Sequence, residues 1–415
     1  MTSSALRIDG ARLWQSLMDL ARIGATPKGG VCRLALTDLD RQGRDLVVAW
    51  LRDAGCTVEI DGVGNVFAVR RGADASAPVV LTGSHVDTQP SGGKFDGNYG
   101  VLAGLEVLRT LNERNVATAK PVGVAIWTNE EGSRFVPVMG GSGAFAGVFT
   151  ADHLRAQRDV DGVAFGEALA AIGYAGEAPV GGRPLDAYFE AHIEQGPVLE
   201  REGKVIGVVT GALAQRWYDC VFTGHDAHAG PTPMEARHDA LRGAAQLVEA
   251  VHRLAVRHAP DGRGTVGFMR VTPNSRNVVP GRVAMSVDLR HPDDRALAAM
   301  DAELREAAGG IARELGLGCD LAQVDQFPSS RFDPGCVAAV REAARALGLP
   351  AREMPSGAGH DAIYVARVAP TAMIFVPCKG GISHNETEDA LPAHLEAGAN
   401  VLLQAVLARA GVAQR

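Results

Sequence analysis

Several residues in the first quarter of this sequence have the types and spacing that bind metal ions. Residues 82–99, TGSHVDTQPSGGKFDGNY, follow an apolar run and contain His85, Asp87 and, after a glycine-rich turn, Asp96. Side chains two positions apart on an extended strand leave the same face. An imidazole with a neighbouring carboxylate is a good ligand for zinc or manganese. The glycines around Asp96 would let its carboxylate reach the same ion. Standing alone, a His-x-Asp pair is more often a surface or turn feature.

Three further polar clusters lie downstream, each at the edge of an apolar run: residues 128–132 (TNEEG), 192–197 (HIEQGP) and 382–385 (ISHN). Together the four clusters supply His85, His192, His384 and two or three carboxylates. These are the ligand types that a two-metal hydrolytic site needs. Taken one at a time, His192 could equally mark an exposed strand end and His384 an ordinary loop.

Glu130 and Glu131 are adjacent acids that close an apolar run. A turn at Gly132 could direct one carboxylate to a metal ion and leave the other above it. The second carboxylate could then take a proton from water and pass it to a leaving nitrogen. The alternative is that both are solvated acids at a strand end.

The second half of the chain contains polar residues that suit substrate binding. His228 lies in a tight turn, HAGPTPM, and could donate a hydrogen bond to a developing oxyanion if its domain folds over the site. Asn277 and Arg290 lie near the ends of two neighbouring predicted strands, and Arg290 offers a fork for a carboxylate. The alternatives are a turn-forming asparagine and a surface arginine paired with Asp288. A glycine-rich turn, GAGHDA around Gly359, precedes a helix and could face an anion.

Composition excludes several classes of function. The 415 residues are 46% hydrophobic and 21% charged, with a net charge of -7 and no basic run, so nucleic acid is not expected as a partner. No apolar run approaches the roughly 20 residues that span a bilayer, and the N-terminus lacks the pattern of a secretory signal. Six scattered cysteines without a Cys-x-x-Cys pair favour reduced thiols in a cytoplasmic protein.

The order of predicted elements indicates an α/β protein with an insertion. Strands alternate with helices up to about residue 210, with the site at strand ends. Residues 211–327 instead predict an α+β domain with a four-stranded antiparallel sheet and two helices, and the α/β pattern returns after Ser329. We therefore expect a discontinuous catalytic domain, residues 1–210 with 328–415, interrupted by a second domain.

The combined motifs resemble those of a known family. GSHVDT, GGKFDG, TNEEGSRF, EAHIEQGP, HAGPTPM, NSRNVVPG, DLRHP, GAGHDA and GISHN occur in the order typical of metal-dependent M20-type amidohydrolases. They are most similar to the hydantoinase/carbamoylase branch, which contains N-carbamoyl-L-amino acid hydrolases, β-ureidopropionases and allantoate amidohydrolases. The histidine of HIEQGP is typical of this branch, because related peptidases and aminoacylases usually have a carboxylate there. The sequence departs from the family at Cys378, where serine is expected, and just after His384, where a proline is expected.

The resemblance implies a metallo-aminopeptidase-like catalytic domain with an inserted lid and dimerisation domain. It implies two divalent ions per subunit, of zinc, manganese, cobalt or nickel. His85 and His192 would complete one metal site, Glu131 and His384 the other, and Asp96 would bridge them. Asp87 would orient His85, and Glu130 would be the general base.

The resemblance also implies how substrate is bound. His228 would reach the active site of the opposite subunit of a homodimer. The other residues expected to hold the substrate's ureido group and carboxylate are Gln195, Gln215, Asn277, Arg290 and Gly359.

The expected function is hydrolysis of the ureido C–N bond of an N-carbamoyl amino acid or N-carbamoyl-β-alanine, giving amino acid, ammonia and carbon dioxide. Two alternatives stay open at this point. One is allantoate amidohydrolase, which performs the same chemistry on a diureido substrate. The other is a metal-free binding protein on the same fold, which would be expected to have lost a ligand or the base.

Overall fold

A computed structural model describes residues 6–413 of the chain. The chain divides into two compact units. The first unit continues to Gly211 and resumes at Arg331, and the second unit is Ala212–Ser330. Each unit has a hydrophobic core of its own.

The strands are, in chain order, β1 (Thr57–Ile60), β2 (Val66–Arg70), β3 (Val79–His85), β4 (Val122–Trp127), β5 (Leu185–Ile193), β6 (Ile206–Ala212), β7 (Ala214–Thr223), β8 (Ala227–His228), β9 (Arg263–Thr272), β10 (Val278–Val279), β11 (Arg282–His291), β12 (Gly318–Phe327), β13 (Ser330–Arg331), β14 (Ala351–Ser356) and β15 (Thr371–Val376).

The α-helices are α1 (Gly10–Ala21), α2 (Asp38–Asp53), α3 (Asn98–Glu113), α4 (Gly140–Phe145), α5 (Ala151–Ala156), α6 (Phe165–Ala171), α7 (Val198–Arg201), α8 (Ala240–Arg257), α9 (Asp294–Leu315), α10 (Pro334–Ala346), α11 (Asp361–Val365) and α12 (Pro392–Ala410). Short 3-10 turns occupy Met234–Ala236 and Lys379–Gly381.

A nine-stranded sheet forms the centre of the first unit. Its strand order is β1-β2-β4-β3-β5-β15-β6-β13, with β14 beside β6. The four central strands β4, β3, β5 and β15 are parallel to one another. Every residue of β4 and of β15 is buried, as expected for strands covered on both faces. Parallel strands end at one edge of a sheet, so the segments that follow these four strands meet there.

Helix α12 packs against α1, α3 and α10, and α1 also packs against α3; α3, α10 and α12 contact the sheet. Side-chain caps fix where several of them begin. Asp9 accepts a hydrogen bond from Arg12 N at the start of α1, and Asp333 accepts one from Cys336 N at the start of α10. Such caps satisfy backbone donors that have no partner within the helix. Helices α10 and α12, from the C-terminal part of the chain, thus complete the helical layer that α1 and α3 begin.

The second unit contains a four-stranded antiparallel sheet in the order β12-β7-β11-β9, with α8 and α9 packed on it and on each other. This confirms the predicted α+β insertion within an α/β fold. Helix α8 of this unit begins at Ala240. Asp239 caps it by accepting from the amides of Leu241 and Arg242, while residues before it form a 3-10 turn after Pro233.

Each helix in the stretch from residue 6 to residue 413 is too short or too polar to cross a membrane.

Candidate metal centre

The carboxyl ends of the four parallel strands bring the predicted ligands together. His85 is the last residue of β3, and His192 is the next-to-last residue of β5. Glu131 follows the end of β4, and His384 lies in the loop after β15. Asp96 comes from the loop that leads into α3. Five side chains from distant parts of the chain therefore converge at one edge of the sheet.

These side chains form two groups that share Asp96. In each group, His85–Asp96–His192 and Asp96–Glu131–His384, the ligand atoms all lie within 4.8 Å of one another. Asp96 Oδ1 lies 3.2 Å from His192 Nε2 and 3.6 Å from His85 Nε2. Asp96 Oδ2 lies 3.4 Å from His384 Nε2, which is also 3.4 Å from Glu131 Oε2. One oxygen of Asp96 thus faces each group.

The electrostatics of the cluster favour cations. Burial acts to raise the pKa of Asp96, but hydrogen bonds with His192, His384 and His85 outweigh burial and lower it well below its ordinary value. Burial, followed by the charge of Asp96, raises the pKa of Glu131 to about 7. The hydrogen bond with Asp96 raises the pKa of His384 to about 9. Buried carboxylates that repel one another are stabilised by positive charge between them.

The residues present fit divalent metal ions. The donor set combines imidazole nitrogens with carboxylate oxygens, the ligands that zinc and manganese accept. A divalent cation would also offset the repulsion between the carboxylates of Asp96 and Glu131. His85 and His192 each have Nδ1 at 2.9 Å from a backbone carbonyl, that of Asp87 and of Ile193 respectively. These contacts leave Nε2 of both rings as the nitrogen that faces the group.

Glu130 lies beside the ligands without belonging to either group. Its Oε2 is 3.4 Å from His85 Nε2. Burial raises the pKa of Glu130 well above its ordinary value, against the opposing effect of His85. A carboxyl group that retains a proton at higher pH than usual is suited to accept and return a proton.

Asp87 contacts the site in a different way from the one predicted. Strand β3 ends at His85, so the two residues do not share a strand face. Nδ1 of His85 lies 3.9 Å from the Asp87 carboxylate but 2.9 Å from its backbone oxygen. The carboxylate instead accepts hydrogen bonds from the backbone amides of Glu130, at 3.4 Å, and Glu131, at 3.3 Å. Asp87 therefore orients the ring through its carbonyl group and the acidic pair through its side chain.

A tight turn at Gly97 holds Asp96 against His85. Gly97 has φ 65 and ψ -50, and the amide of Asn98 donates to the carbonyl of Asp96 at 2.7 Å. This is a γ-turn, which is strained for residues other than glycine. A Cβ atom at Gly97 would lie 2.4 Å from the His85 ring. Both the backbone angles and the packing therefore require glycine here.

Gln195 lies at the same edge of the sheet. Its Nε2 donates to Asp96 Oδ2 at 2.8 Å and lies 3.5 Å from His384 Nε2. Gln195 and His384 have φ 56 and φ 53, and Asn129 beside the acidic pair has φ 56. Left-handed backbone at residues other than glycine costs of order 1–3 kcal/mol each and is typical of functional sites. By contrast, the Glu194 carboxylate accepts from the amides of Val198 and Leu199 and so begins α7.

The predicted residues of the second unit form two separate pairs. Arg290 on β11 and Gln215 on β7 are direct cross-strand partners. His228 lies beside Asn277, because the amide of Ala229 donates to the Asn277 carbonyl at 2.9 Å. The β7–β11 ladder runs from His291–Ala214, next to Arg290–Gln215, to Arg282–Thr223 at the other end. The His228–Asn277 pair lies beyond that second end.

The ladder therefore separates the two pairs. The eight residue-to-residue steps from Arg282 to Arg290 correspond to roughly 26 Å at about 3.3 Å per step. A small substrate cannot contact both pairs of one chain. The Nδ1 atom of His228 accepts from the amide of Gly230 at 3.1 Å, so the neutral ring has its proton on Nε2 as a donor. Arg290 pairs with Asp288, with Nη2 2.7 Å from Oδ2, so this guanidinium is held in place by an acid, as the alternative interpretation expected.

The turn around Gly359 differs from a simple anion site. Helix α11 is only five residues long, and the amide of Ala362 in it already donates to Glu190 Oε2 at 2.9 Å. Glu190 Oε1 accepts from Ser84 Oγ at 2.7 Å. His360 Nε2 lies 3.0 Å from Ser356 Oγ. These contacts fix the turn behind the ligands, and Gly359 itself is exposed there.

Sequence reasoning missed Glu190, His360 and Glu388, all of which are buried near the ligands. Glu190 was detectable as an acid inside an apolar strand, LDAYFEAHI. Glu388, four residues after His384, carries no such signal because the loop around it is generally polar.

Known proteins are similar to this chain over nearly its whole length. The profile of the family described as Peptidase family M20/M25/M40 matches residues 81–408. An N-carbamoyl-L-amino-acid amidohydrolase of Rhizobium meliloti is 47% identical over 408 residues, which cover 98% of each protein. An allantoate amidohydrolase of Bacillus subtilis is 36% identical over 388 residues, or 92% of this chain and 93% of that protein.

A solved structure is also similar to this chain. The crystal structure of an amidase of the hydantoinase/carbamoylase family from Burkholderia multivorans has 61% sequence identity and a TM-score of 0.96, covering 98% of both chains. These findings confirm the resemblance drawn from the motifs. The chain therefore belongs to peptidase family M20/M25/M40 and, within it, to the hydantoinase/carbamoylase group of amidohydrolases, which are hydrolases of carbon–nitrogen bonds.

Proposed function

We propose that this protein hydrolyses the ureido C–N bond of N-carbamoyl amino acids with two divalent metal ions per subunit. The observation that carries the proposal is Asp96, whose two oxygens face His85 with His192 on one side and Glu131 with His384 on the other. This is the arrangement that a bridging carboxylate would have. Zinc, manganese, cobalt and nickel all suit these ligands.

Bound ions would supply Lewis-acid chemistry, polarising the ureido carbonyl and making a water molecule more acidic. Glu130 takes the proton from the attacking water and returns it to the leaving nitrogen. Water adds to the ureido carbon and one carbon–nitrogen bond breaks, which leaves a carbamic acid. The carbamic acid then loses carbon dioxide by breaking its remaining carbon–nitrogen bond, so the products are the amino acid, ammonia and carbon dioxide. Asp87 keeps Glu130 and Glu131 in place by accepting from their amides.

The second unit supplies groups that recognise the substrate. Arg290, oriented by Asp288, binds the substrate carboxylate, and Gln215 lies beside it. Gln195 and the turn at Gly359 contribute from the first unit. His228 donates from Nε2 to the oxygen that becomes negative during attack.

A homodimer reconciles the positions of these residues. The His228–Asn277 pair and the Gln215–Arg290 pair of one chain are too far apart for one small substrate. We propose that the second unit pairs two chains, so that His228 and Asn277 serve the partner's site. The same unit would act as a lid that closes over bound substrate.

Allantoate is the second candidate substrate, because the allantoate amidohydrolase of Bacillus subtilis aligns along most of the chain. The higher identity of the Rhizobium meliloti relative, an N-carbamoyl-L-amino-acid amidohydrolase, favours N-carbamoyl amino acids. A metal-free binding protein is disfavoured, since histidine or carboxylate stands at all five ligand positions and Glu130 is present.

The deciding experiment measures ammonia release from N-carbamoyl-β-alanine, a panel of N-carbamoyl-L-amino acids and allantoate. Each substrate is tested with the metal-loaded enzyme, after chelation, and after zinc or manganese is restored. We expect turnover of N-carbamoyl amino acids that chelation abolishes and metal restores. Turnover of allantoate alone would select the second candidate, and activity indifferent to chelation would contradict the metal-dependent proposal.

We also propose a cytoplasmic location. None of the six cysteines forms a disulfide in the described part of the chain, as expected where thiols stay reduced.

A further inference from the structure

Glu388 is a buried acid directly behind Asp96. Its side chain comes from the loop after β15 and is 1% exposed. Oε1 accepts hydrogen bonds from two consecutive backbone amides, those of Phe95 at 2.9 Å and Asp96 at 3.1 Å. An acid from the end of the chain thus holds the backbone of the residue that both ligand groups share.

A serine connects the two carboxylates. Ser383 Oγ lies 2.9 Å from Glu388 Oε2 and 2.8 Å from Asp96 Oδ2. Gln195 Nε2 donates to the same Asp96 oxygen at 2.8 Å. Ser383 and Gln195 therefore hold Asp96 Oδ2 and so fix the rotation of the carboxylate. In this orientation Oδ1 faces His85 and His192, and Oδ2 faces His384.

Two glycines lie where a larger residue would clash with the loop that carries Glu388. A Cβ atom at Gly93 would lie 2.1 Å from the carboxylate of Glu388. A Cβ atom at Gly30 would lie 2.5 Å from the backbone of Glu386 in the same loop. Neither glycine has the positive φ that would explain it by backbone conformation. Gly93 is explained by the close approach of this loop to the Asp96 loop, and Gly30 by its close approach to the segment between α1 and α2.

Glu388 does not act as a ligand in this arrangement, because both of its oxygens already accept or share hydrogen bonds. Its contacts instead join the loop of Asp96, before α3, to the loop of His384, after β15. Those two loops supply two of the five candidate ligands, Asp96 and His384, and these two side chains meet only if the loops keep their relative positions.

We propose that Glu388 is a positioning residue for metal binding: it fixes Asp96 through two backbone amides and, through Ser383, fixes the orientation of the Asp96 carboxylate. The inference rests on the proposed function in one respect, namely that Asp96 binds metal. Residues that orient metal ligands typically contribute 10–100-fold to metal affinity.

The test compares metal affinity in three variants of the full chain. Glu388→Ala leaves the amides of Phe95 and Asp96 buried without their acceptor. Glu388→Gln keeps an oxygen for both amides, and its amide group can donate to Ser383, which then donates to Asp96. Glu386→Ala is the matched control, because this acid lies two residues away and pairs with Lys28 rather than with a ligand.

Zinc and manganese affinities are measured by equilibrium dialysis at buffered free-metal concentrations, with thermal unfolding of the metal-free proteins in parallel. We expect Glu388→Ala to bind at least one ion about 10–100-fold more weakly than the control, and Glu388→Gln to bind like the control. A general structural role would lower the unfolding temperature of the metal-free Glu388→Ala protein without selectively weakening metal binding.

If Glu388→Ala does not fold, Ser383→Ala is tested instead. This substitution removes the link between Glu388 and the Asp96 carboxylate, and because Ser383 is only half-buried, the variant should fold. Wild-type affinity in either alanine variant would overturn the inference. Equal loss in Glu388→Gln and Glu388→Ala would also overturn it, since charge rather than hydrogen bonding would then matter. If the unmodified chain binds no divalent ion, the proposed function is wrong and the inference falls with it.

Discussion

Replacing Gly97 with alanine is expected to displace the His85 imidazole and weaken metal binding. The added Cβ atom would lie 2.4 Å from the ring, whereas carbon atoms in contact are usually about 3.5 Å or more apart. The ring must therefore move by about 1 Å, or the γ-turn must open and move Asp96. Either movement separates Asp96 Oδ1 from His85 Nε2, now 3.6 Å apart.

Two contributions are expected to lower the free energy of unfolding of Gly97→Ala. An alanine held in the backbone conformation of Gly97 costs of order 1–3 kcal/mol. Overpacking against a fully buried ring costs typically about 1–3 kcal/mol more. Gly147→Ala is the matched control, because Gly147 also has a positive φ, 74, but its added Cβ atom would meet nothing within 4 Å. The control should lose only the backbone contribution.

The assay measures zinc or manganese affinity by equilibrium dialysis and the free energy of unfolding in urea for both metal-free variants. Gly97→Ala should be less stable than Gly147→Ala by about 1–3 kcal/mol and should bind metal about 10–100-fold more weakly. Equal metal affinity in the two variants would refute the argument that Gly97 positions His85.

Three further outcomes are expected. Glu130→Gln should retain metal and substrate binding while turnover falls by about 10²–10⁴-fold; near-normal kcat would remove Glu130 from its role. His228→Ala should lower kcat by about 10²–10³-fold, and mixing it randomly with Glu130→Gln chains should restore activity to about one site in four if each site uses both chains of a dimer. No recovery in verified mixed dimers would place the site within one chain. Arg290→Lys should raise KM by roughly tenfold with a smaller change in kcat, because lysine lacks the planar fork; steady-state kinetics with unchanged KM would argue against carboxylate binding there.

The sequence was sufficient to predict the layer architecture and the convergence of the candidate metal ligands, for identifiable reasons. Apolar runs such as β4 and β15 are followed at once by polar residues, and parallel strands must end at one edge. Residues at strand ends therefore converge whatever the details of packing. This is why His85 and His384 could be assigned to one region although 299 positions separate their numbers.

Other features depend on geometry that sequence patterns do not contain. The end of β3 at His85 decides that Asp87 acts through its carbonyl group as well as its carboxylate. The pairing of Gln215 with Arg290 depends on the register of two strands, and register is set by the partner strand. The contact between Glu388 and the Asp96 loop joins residues that are 292 positions apart, and no local pattern marks it.

The assembly of one sheet from both ends of the chain determines when the protein first becomes competent during synthesis. The ribosome completes β3, β4, β5 and the whole second unit before it reaches His384. A nascent chain therefore has His85, Asp96 and His192 but cannot complete the group of Asp96, Glu131 and His384. If the proposed two-metal site is the catalytic site, partly made chains would be inert, and a proteolytic cut that releases β15 and α12 would abolish activity of the complete enzyme.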